Sequence, residues 1–277
     1  MTFLPLRQLP SAGNRTLCDA WLDQLEARLA DGSDWSDVCR STLADIVYPQ
    51  YASDWESAVS DAALPLATRI ALSSLDPRNV TLEPEYYGEC DVAKFGVVKP
   101  LLWLWYSFDR APLAGQNVDL GVRLRRLLAP RIFRRCGENF KAFQHVEFSF
   151  GYNLEVGDNV VIHRHVLLDD RGGLVLGNNV SVSDYANIYS HTHSIVDQRD
   201  VTDATTVLED GVRITYHATV LAGVRVGLQG MVGAVAVATK DVRPYHVNVG
   251  IPAKSVRVKP NAPAMADVAS AARGRAG

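Results

Sequence analysis

The stretch Phe150 to Leu176, FGYNLEVGDNVVIHRHVLLDDRGGLVL, decides how this chain folds. Counted in sixes from Phe150, an apolar residue recurs at Val156, Ile162 and Leu168. After an offset of two around Asp170 to Gly173, the count resumes at Leu176, Val182 and Ile188. It returns after a longer break at Leu208, Ile214, Val220, Val226, Val232 and Ala238. All thirteen positions are apolar; against a background near one half, chance agreement is about one in ten thousand. A period of six with one inward aliphatic per segment predicts a β-helix built from hexapeptides. Each segment is a short strand plus a turn, and three segments make one triangular coil. The aliphatics stack down the axis while backbone groups pair with the coils above and below. Gly157, Gly177, Gly223, Gly227 and Gly233 fall near the corners, where glycine tolerates tight geometry.

The break interrupts this regularity with chemistry. Tyr189 to Val207, YSHTHSIVDQRDVTDATTV, is polar and holds two histidines and three aspartates. A polar excursion from a rigid solenoid is where function tends to sit.

Upstream the pattern changes. All five tryptophans precede residue 106 and all seven histidines follow residue 144, which suggests two units with different jobs. Leu17, Trp21, Leu22, Leu25 and Leu29 recur at helical spacing, with Asn14 or Thr16 as the cap and Gly32 as the stop. Ser33 or Asp34 caps a second helix running to about Val47. Gly115 to Arg135 shows a third helical pattern through Val118, Val122, Leu124, Leu127 and Leu128. Its arginines (Arg123, Arg125, Arg126, Arg131, Arg134, Arg135) read as a solvated face. The expected organisation is a helical unit over 1–140, a β-helix over 141–258 and a tail over 259–277, to which no function is assigned.

Composition narrows the function classes. The chain has 277 residues, with 28 basic and 31 acidic side chains and a net charge of −3. That balance opposes a general nucleic-acid binder, which needs a basic face to displace counterions. Cys18, Cys39, Cys90 and Cys136 form no Cys-x-x-Cys pair, so neither a disulfide framework nor a thiolate zinc site is expected, and a cytoplasmic protein fits. The most apolar run, Val97 to Tyr106, is half the length of a membrane span and contains Lys99 and Pro100, so it predicts a buried helix. Met1 to Pro10 lacks the pattern of a secretory leader.

From about residue 145 to 258 the sequence resembles the hexapeptide-repeat acyltransferases, in particular the galactoside, maltose and nodulation-factor O-acetyltransferases. Two blocks carry the likeness, Phe150 to Ser194 and Asp210 to Arg257. The closing pattern Thr239-Lys240-Asp241-Val242 with Gly250-Ile251-Pro252-Ala253-Lys254 is the most specific part. The resemblance implies a left-handed β-helix, a homotrimer and an acyl-CoA held between coils of two subunits. It implies His193, in His193-Ser194-Ile195, as the catalytic histidine. It also implies Thr239 and Lys240 along the CoA channel, Ala234 against the pantetheine arm, and Lys254 and Arg257 at the nucleotide end. Tyr216 is grouped with these cofactor contacts. His165 stands where the family has an asparagine near the acetyl site, and Arg213-Ile214-Thr215 replaces the family's aromatic-Ile-Gly.

Acyl transfer from a thioester to a hydroxyl needs a base, an oxyanion donor and a dry channel. A histidine accepts the hydroxyl proton and returns it to the leaving thiolate. The expectation is His193 as base, with His165 or a backbone N–H at the oxyanion. Asp169, Asp170 or Asp184 would orient a histidine, with Asp170 the choice for the catalytic set. His191, Asp169 and Asp184 are expected to contact substrate. The spacing of His163 and His165 places both on one strand face, His163 for packing and His165 in the cleft. His217 reads as a corner residue with a structural role.

The expected reaction moves an acetyl or other short acyl group from acyl-CoA to a hydroxyl of a sugar or other small molecule, an amine being the main variant. No metal is expected. Two rivals use the same scaffold. A γ-type carbonic anhydrase would bind zinc through histidines from the set His163, His165, His191, His193 and His217. A trimeric scaffold would have no catalysis at all.

Overall fold

In the computed structural model, which describes residues 6, 8–111, 116–197 and 199–264, the sixfold phase becomes three parallel sheets around one axis. One sheet stacks Arg135–Cys136, Leu154–Val156, Leu174–Leu176, Thr206–Leu208 and Arg225–Val226. The second starts at Lys141–Ala142 and the third at Glu147–Phe148. All thirteen counted residues are buried. A second buried row stands two residues ahead of them, including Leu154, Val160, Val166, Leu174 and Val180. Alternate residues of an extended segment share a side, so each hexapeptide sends two side chains inward rather than one.

The register corrects where the count begins. Phe148, not Phe150, holds the strand position; Phe150 is buried in the corner that follows. Lys141 pairs with Val161 and Val161 with Ser181, steps of 20. The two extra residues fall at one corner each time, at 149–153 and 169–173. Ser181 then pairs with Arg213, a step of 32, because the polar break is inserted at that same corner. Arg213 pairs with Met231, the step of 18 that three plain hexapeptides give.

The corner glycines act differently from expectation. Of the five, only Gly223 has positive φ. The left-handed positions belong instead to Asn139, Asn159 and Asn179 at one corner and to His145, His165, Tyr185 and His217 at another. Gly157 and Gly177 are required by crowding: a Cβ at either would lie 2.8 Å from a backbone nitrogen of the next coil.

The upstream half folds into six α-helices among the described residues, with short 3-10 turns between them: α1 (Ala12–Ala30), α2 (Trp35–Val47), α3 (Trp55–Ser60), α4 (Leu66–Ser73), α5 (Val92–Arg110) and α6 (Val118–Ile132). Ser11, rather than Asn14 or Thr16, caps α1, its Oγ accepting from the Asn14 N–H. Cys18 replaces Leu17 on the buried face; Leu17 is 71% exposed. Asp34 caps α2. Gly115, the expected start of the third helical pattern, lies outside the described residues, and α6 is capped by Asn117.

The α6 arginines are not simply a solvated face. Arg125 is buried in an ion pair with Asp109 and donates to the Ala142 carbonyl at 3.2 Å. Arg126 donates to the Phe140 carbonyl at 2.8 Å. The first coil has no coil beneath it, so its edge groups need other partners. Helix α5 supplies more of them. The Trp105 indole N–H donates to the Val146 carbonyl, and Tyr106 Oη bonds both the N–H and the carbonyl of Phe148. The Trp105 ring also meets Phe148 edge-on at 5.0 Å.

Helices and coils therefore share one continuous core, and the stack starts at Arg135–Cys136. The Val97–Tyr106 run lies within α5, and among the described residues no helix is long and apolar enough to cross a membrane. At the far end His246–Val249 joins the stack and Lys254–Val258 folds back on it antiparallel. The expected tail from residue 259 lies largely outside the described residues, which end at Ala264.

Candidate active site

The inserted segment leaves its corner as an antiparallel ribbon, with His191 opposite Asp203 and His193 opposite Val201. Buried Ser190 roots it: its carbonyl accepts from the Ala204 N–H, and its Oγ accepts from the Gly172 N–H. Asp169, only 1% exposed, is the main anchor. Its Oδ2 accepts the backbone N–H groups of Ser190 (2.9 Å) and His191 (3.2 Å). The same oxygen lies 2.6 Å from His191 Nδ1, while Oδ1 accepts the Ser149 hydroxyl at 2.7 Å.

The other nitrogen of His191, Nε2, lies 3.1 Å from Arg171 Nη1. A guanidinium only donates, so Nε2 accepts and Nδ1 carries the hydrogen toward Asp169, an assignment made from the network. Both nitrogens are engaged. His191 and Asp169, both expected at the substrate, line the same cleft as His193, and Asp169 with Arg171 fixes the His191 ring at the root of the ribbon. His193 sits two residues on, so it projects from the same side of the strand. Its ring stands nearly perpendicular to that of His191, 5.2 Å away, and it is exposed.

His193 borders a cleft of about 1030 Å³. One wall is the solenoid, with Glu147, Ser149, Leu167 and the ribbon. The other is the helical half, with Glu83, Tyr87, Trp103 and Arg110. A hydrogen bond to Glu83 raises the Tyr87 phenol above its ordinary pKa, so it stays protonated. The sequence offered no sign of this wall, nor of Glu89, which pairs with Arg171. Arg171 had one signal only, its position directly after Asp169 and Asp170 at the interrupted corner.

Several expected site residues lie elsewhere. Asp170 is fully buried and closes the corner by accepting the N–H groups of Phe150 (2.7 Å) and Asn153 (3.0 Å). Its oxygens are taken up by these backbone donors, and burial pushes its carboxyl up to about 6. Asp184 pairs with Arg164 at 2.9 Å on a different corner. Burial opposes its charge, but that arginine holds its carboxyl below the ordinary value.

His165 does not border the cleft. Its ring is stacked between His145 (4.7 Å) and Tyr185 (4.8 Å), with His217 next beyond Tyr185. His163 stacks on Phe143 and burial lowers its pKa. Because His165 occupies a left-handed corner position, His163 and His165 do not share a strand face. Tyr216, Ala234, Thr239, Lys240, Lys254 and Arg257 are exposed on the last coils and the terminal hairpin, and none borders the cleft. Among the described residues of one chain, no three His, Cys, Asp or Glu side chains converge as a metal set.

The fold and the ribbon define the class, a β-helix enzyme scaffold with a histidine-bearing loop at one interrupted corner. No family model matches the chain. Over 140 residues it is 26% identical to the galactoside O-acetyltransferase of Escherichia coli K12, spanning 49% of this chain and 69% of that protein. A maltose O-acetyltransferase from Clostridium difficile 630 matches with a TM-score of 0.55 at 22% identity, over 63% of this chain and 92% of its own. A hexapeptide-repeat acetyltransferase from Vibrio cholerae O1 biovar eltor, complexed with acetyl coenzyme A, matches at 0.53 and 22% identity, over 61% and 88%. The solenoid thus has the left-handed β-helix fold of these structures, and the chain is similar in sequence to acetyltransferases of this kind.

Proposed function

We propose that this chain transfers an acetyl or other short acyl group from acyl-CoA to a hydroxyl of a sugar or other small molecule, with His193 as general base. The observation that carries this is the placement of His193. It stands exposed at the cleft on a ribbon whose root is fixed by Asp169 and Ser190. Arrival of an acceptor hydroxyl at its ring lets the imidazole take the proton as oxygen attacks the thioester carbonyl. The C–S bond then breaks, and the same imidazole protonates the departing thiolate. A base so placed contributes typically about 10²–10⁴-fold. The cleft suits an acceptor rather than the donor's long arm. Its lining offers flat apolar faces from Tyr87 and Trp103 and hydrogen-bond acceptors from Glu83 on the helical wall and Glu147 on the solenoid wall.

The donor is assigned to the exposed residues of the last coils. Lys240, Lys254 and Arg257 would meet its phosphates, with Tyr216, Ala234 and Thr239 along its arm. These residues stand outside the cleft of their own chain, which favours a homotrimer in which two copies complete one site. His165, on a different corner from the ribbon, would contribute to the oxyanion only from a neighbouring copy. The test is release of free thiol from acetyl-CoA in the presence of a panel of hydroxyl and amine acceptors. Acceptor-dependent release that disappears in His193→Ala supports the reading; release that persists at the wild-type rate removes His193 from it.

A further inference from the structure

Arg171 joins three parts of the molecule that are distant in sequence. Its Nη2 forms an ion pair with Glu89, in the segment leading into α5. Its Nη1 reaches Nε2 of His191, and its guanidinium lies over the Tyr87 ring, 4.1 Å from the centroid. The side chain is only 5% exposed, and its Nε is buried without a partner among the described residues. Burying a guanidinium is costly, and buried ion pairs are weak contributors to stability. A cation placed at that cost beside a histidine needs a reason other than holding the fold.

We infer that Arg171 is a positioning residue through which the helical half sets the direction of His193. The inference rests on the reading of His193 as the base. Arg171 donates to Nε2 of His191, which leaves Nδ1–H facing Asp169 and fixes both the tautomer and the plane of the ring. The ring is held at the root of a short ribbon, and His193 is two residues further along the same strand and in contact with it. A rotation of the His191 ring is therefore passed to His193. Glu89 and Tyr87 hold the guanidinium from the opposite wall of the cleft. The helical half and the catalytic ribbon are in this way registered to one another across the acceptor site.

The experiment combines kinetics with long-range ¹⁵N–¹H spectra of the histidine rings, on the full chain, for Arg171→Met, Arg171→Lys and Glu89→Gln. In the wild type His191 is expected as one Nδ1–H tautomer. Arg171→Met is expected to lower kcat about 10²-fold, the scale of a misplacement near 1 Å, with the Kd for acetyl-CoA within twofold. Asp169 still accepts from Nδ1, so the expected change in the His191 signals is at Nε2, which loses its donor, with Nδ1–H retained. Arg171→Lys keeps one donor without the fork and should recover part of kcat and of the wild-type Nε2 signal. Glu89→Gln leaves Arg171 in place but unpaired, should cost about tenfold, and decides the matter if Arg171→Met does not fold. An unchanged kcat in Glu89→Gln and Arg171→Met, or a lowered kcat with the His191 Nε2 signal unmoved, overturns the inference. If the wild type transfers no acyl group, the reaction assignment fails, while the ring spectra still decide whether Arg171 and Glu89 govern His191.

Discussion

His191 Nδ1 lies 2.6 Å from Asp169 Oδ2, and the same oxygen accepts the backbone N–H of His191 and of Ser190. One buried carboxylate therefore fixes a ring and the root of the ribbon that carries it. Asp169→Ala leaves these donors without a partner, at about 1–3 kcal/mol for each buried group left unsatisfied. The expected outcome is a lower Tm by calorimetry together with loss of turnover. A variant with wild-type Tm and rate would mean the ribbon is held by other contacts.

The two ribbon histidines should separate by kinetics. His193→Ala is expected to lower kcat roughly 10²–10⁴-fold while the Kd for acetyl-CoA stays within about twofold. His191→Ala acts through the ribbon and should reduce kcat less. Equal kcat values for the two variants would show that the ring of His193 has no role distinct from that of His191.

Lys240 and Lys254 are exposed, so each should contribute only as a surface cation does, about 0.2–1 kcal/mol. Lys240→Ala and Lys254→Ala are expected to weaken acetyl-CoA about 1.4- to fivefold each, with kcat unchanged. The loss should shrink at high salt, where exposed charges are screened. Calorimetric titration at low and high ionic strength checks both; unaltered affinity at low salt places the nucleotide end elsewhere.

Asp170 gives a pH dependence whose sign is fixed by its environment. Burial raises its carboxyl from 3.8 to about 6 in the folded chain, so between these values the folded state holds a proton that the unfolded state has released. Stability from this group is fully present below about pH 4 and falls as pH rises through 6, by roughly 3 kcal/mol in all. Asp170→Asn cannot ionise and should lack this slope. The comparison is urea unfolding of both proteins at pH 4.5 and pH 7. Parallel changes in the two would show that Asp170 is ionised throughout.

Trp105 joins α5 to the first coil, with its ring against Phe133 and Phe148 and its N–H on the Val146 carbonyl. Trp105→Ala is expected to cost about 3–5 kcal/mol. Because helices and coils share one core, unfolding should remain a single transition seen equally in helix and strand signals. Two separate transitions would show that the coils stand without their helical cap.

The coil was legible because its information is local. Every sixth residue of a solenoid faces the same axis, so the thirteen counted apolar residues could be found without knowing any contact. The interruption was legible for the same reason, since a polar run cannot continue an apolar phase, and it carried His191 and His193 into view. Phe150 fits the count in place of Phe148 because an extra pair of residues at a corner shifts the phase without breaking it. Only the tertiary structure decided that His191 is gripped by Asp169 and Arg171 and that His193 stands exposed beside it at the same cleft. Glu89 and Arg171 lie 82 residues apart, and no periodicity joins a helix-bearing segment to a solenoid corner. The same limit applies to His165. Its sequence neighbourhood is that of a strand, but its left-handed corner sets its ring among those of the coils above and below, away from the cleft. Sequence determined the axis and the break; the packing of distant segments across that break determined what the site contains.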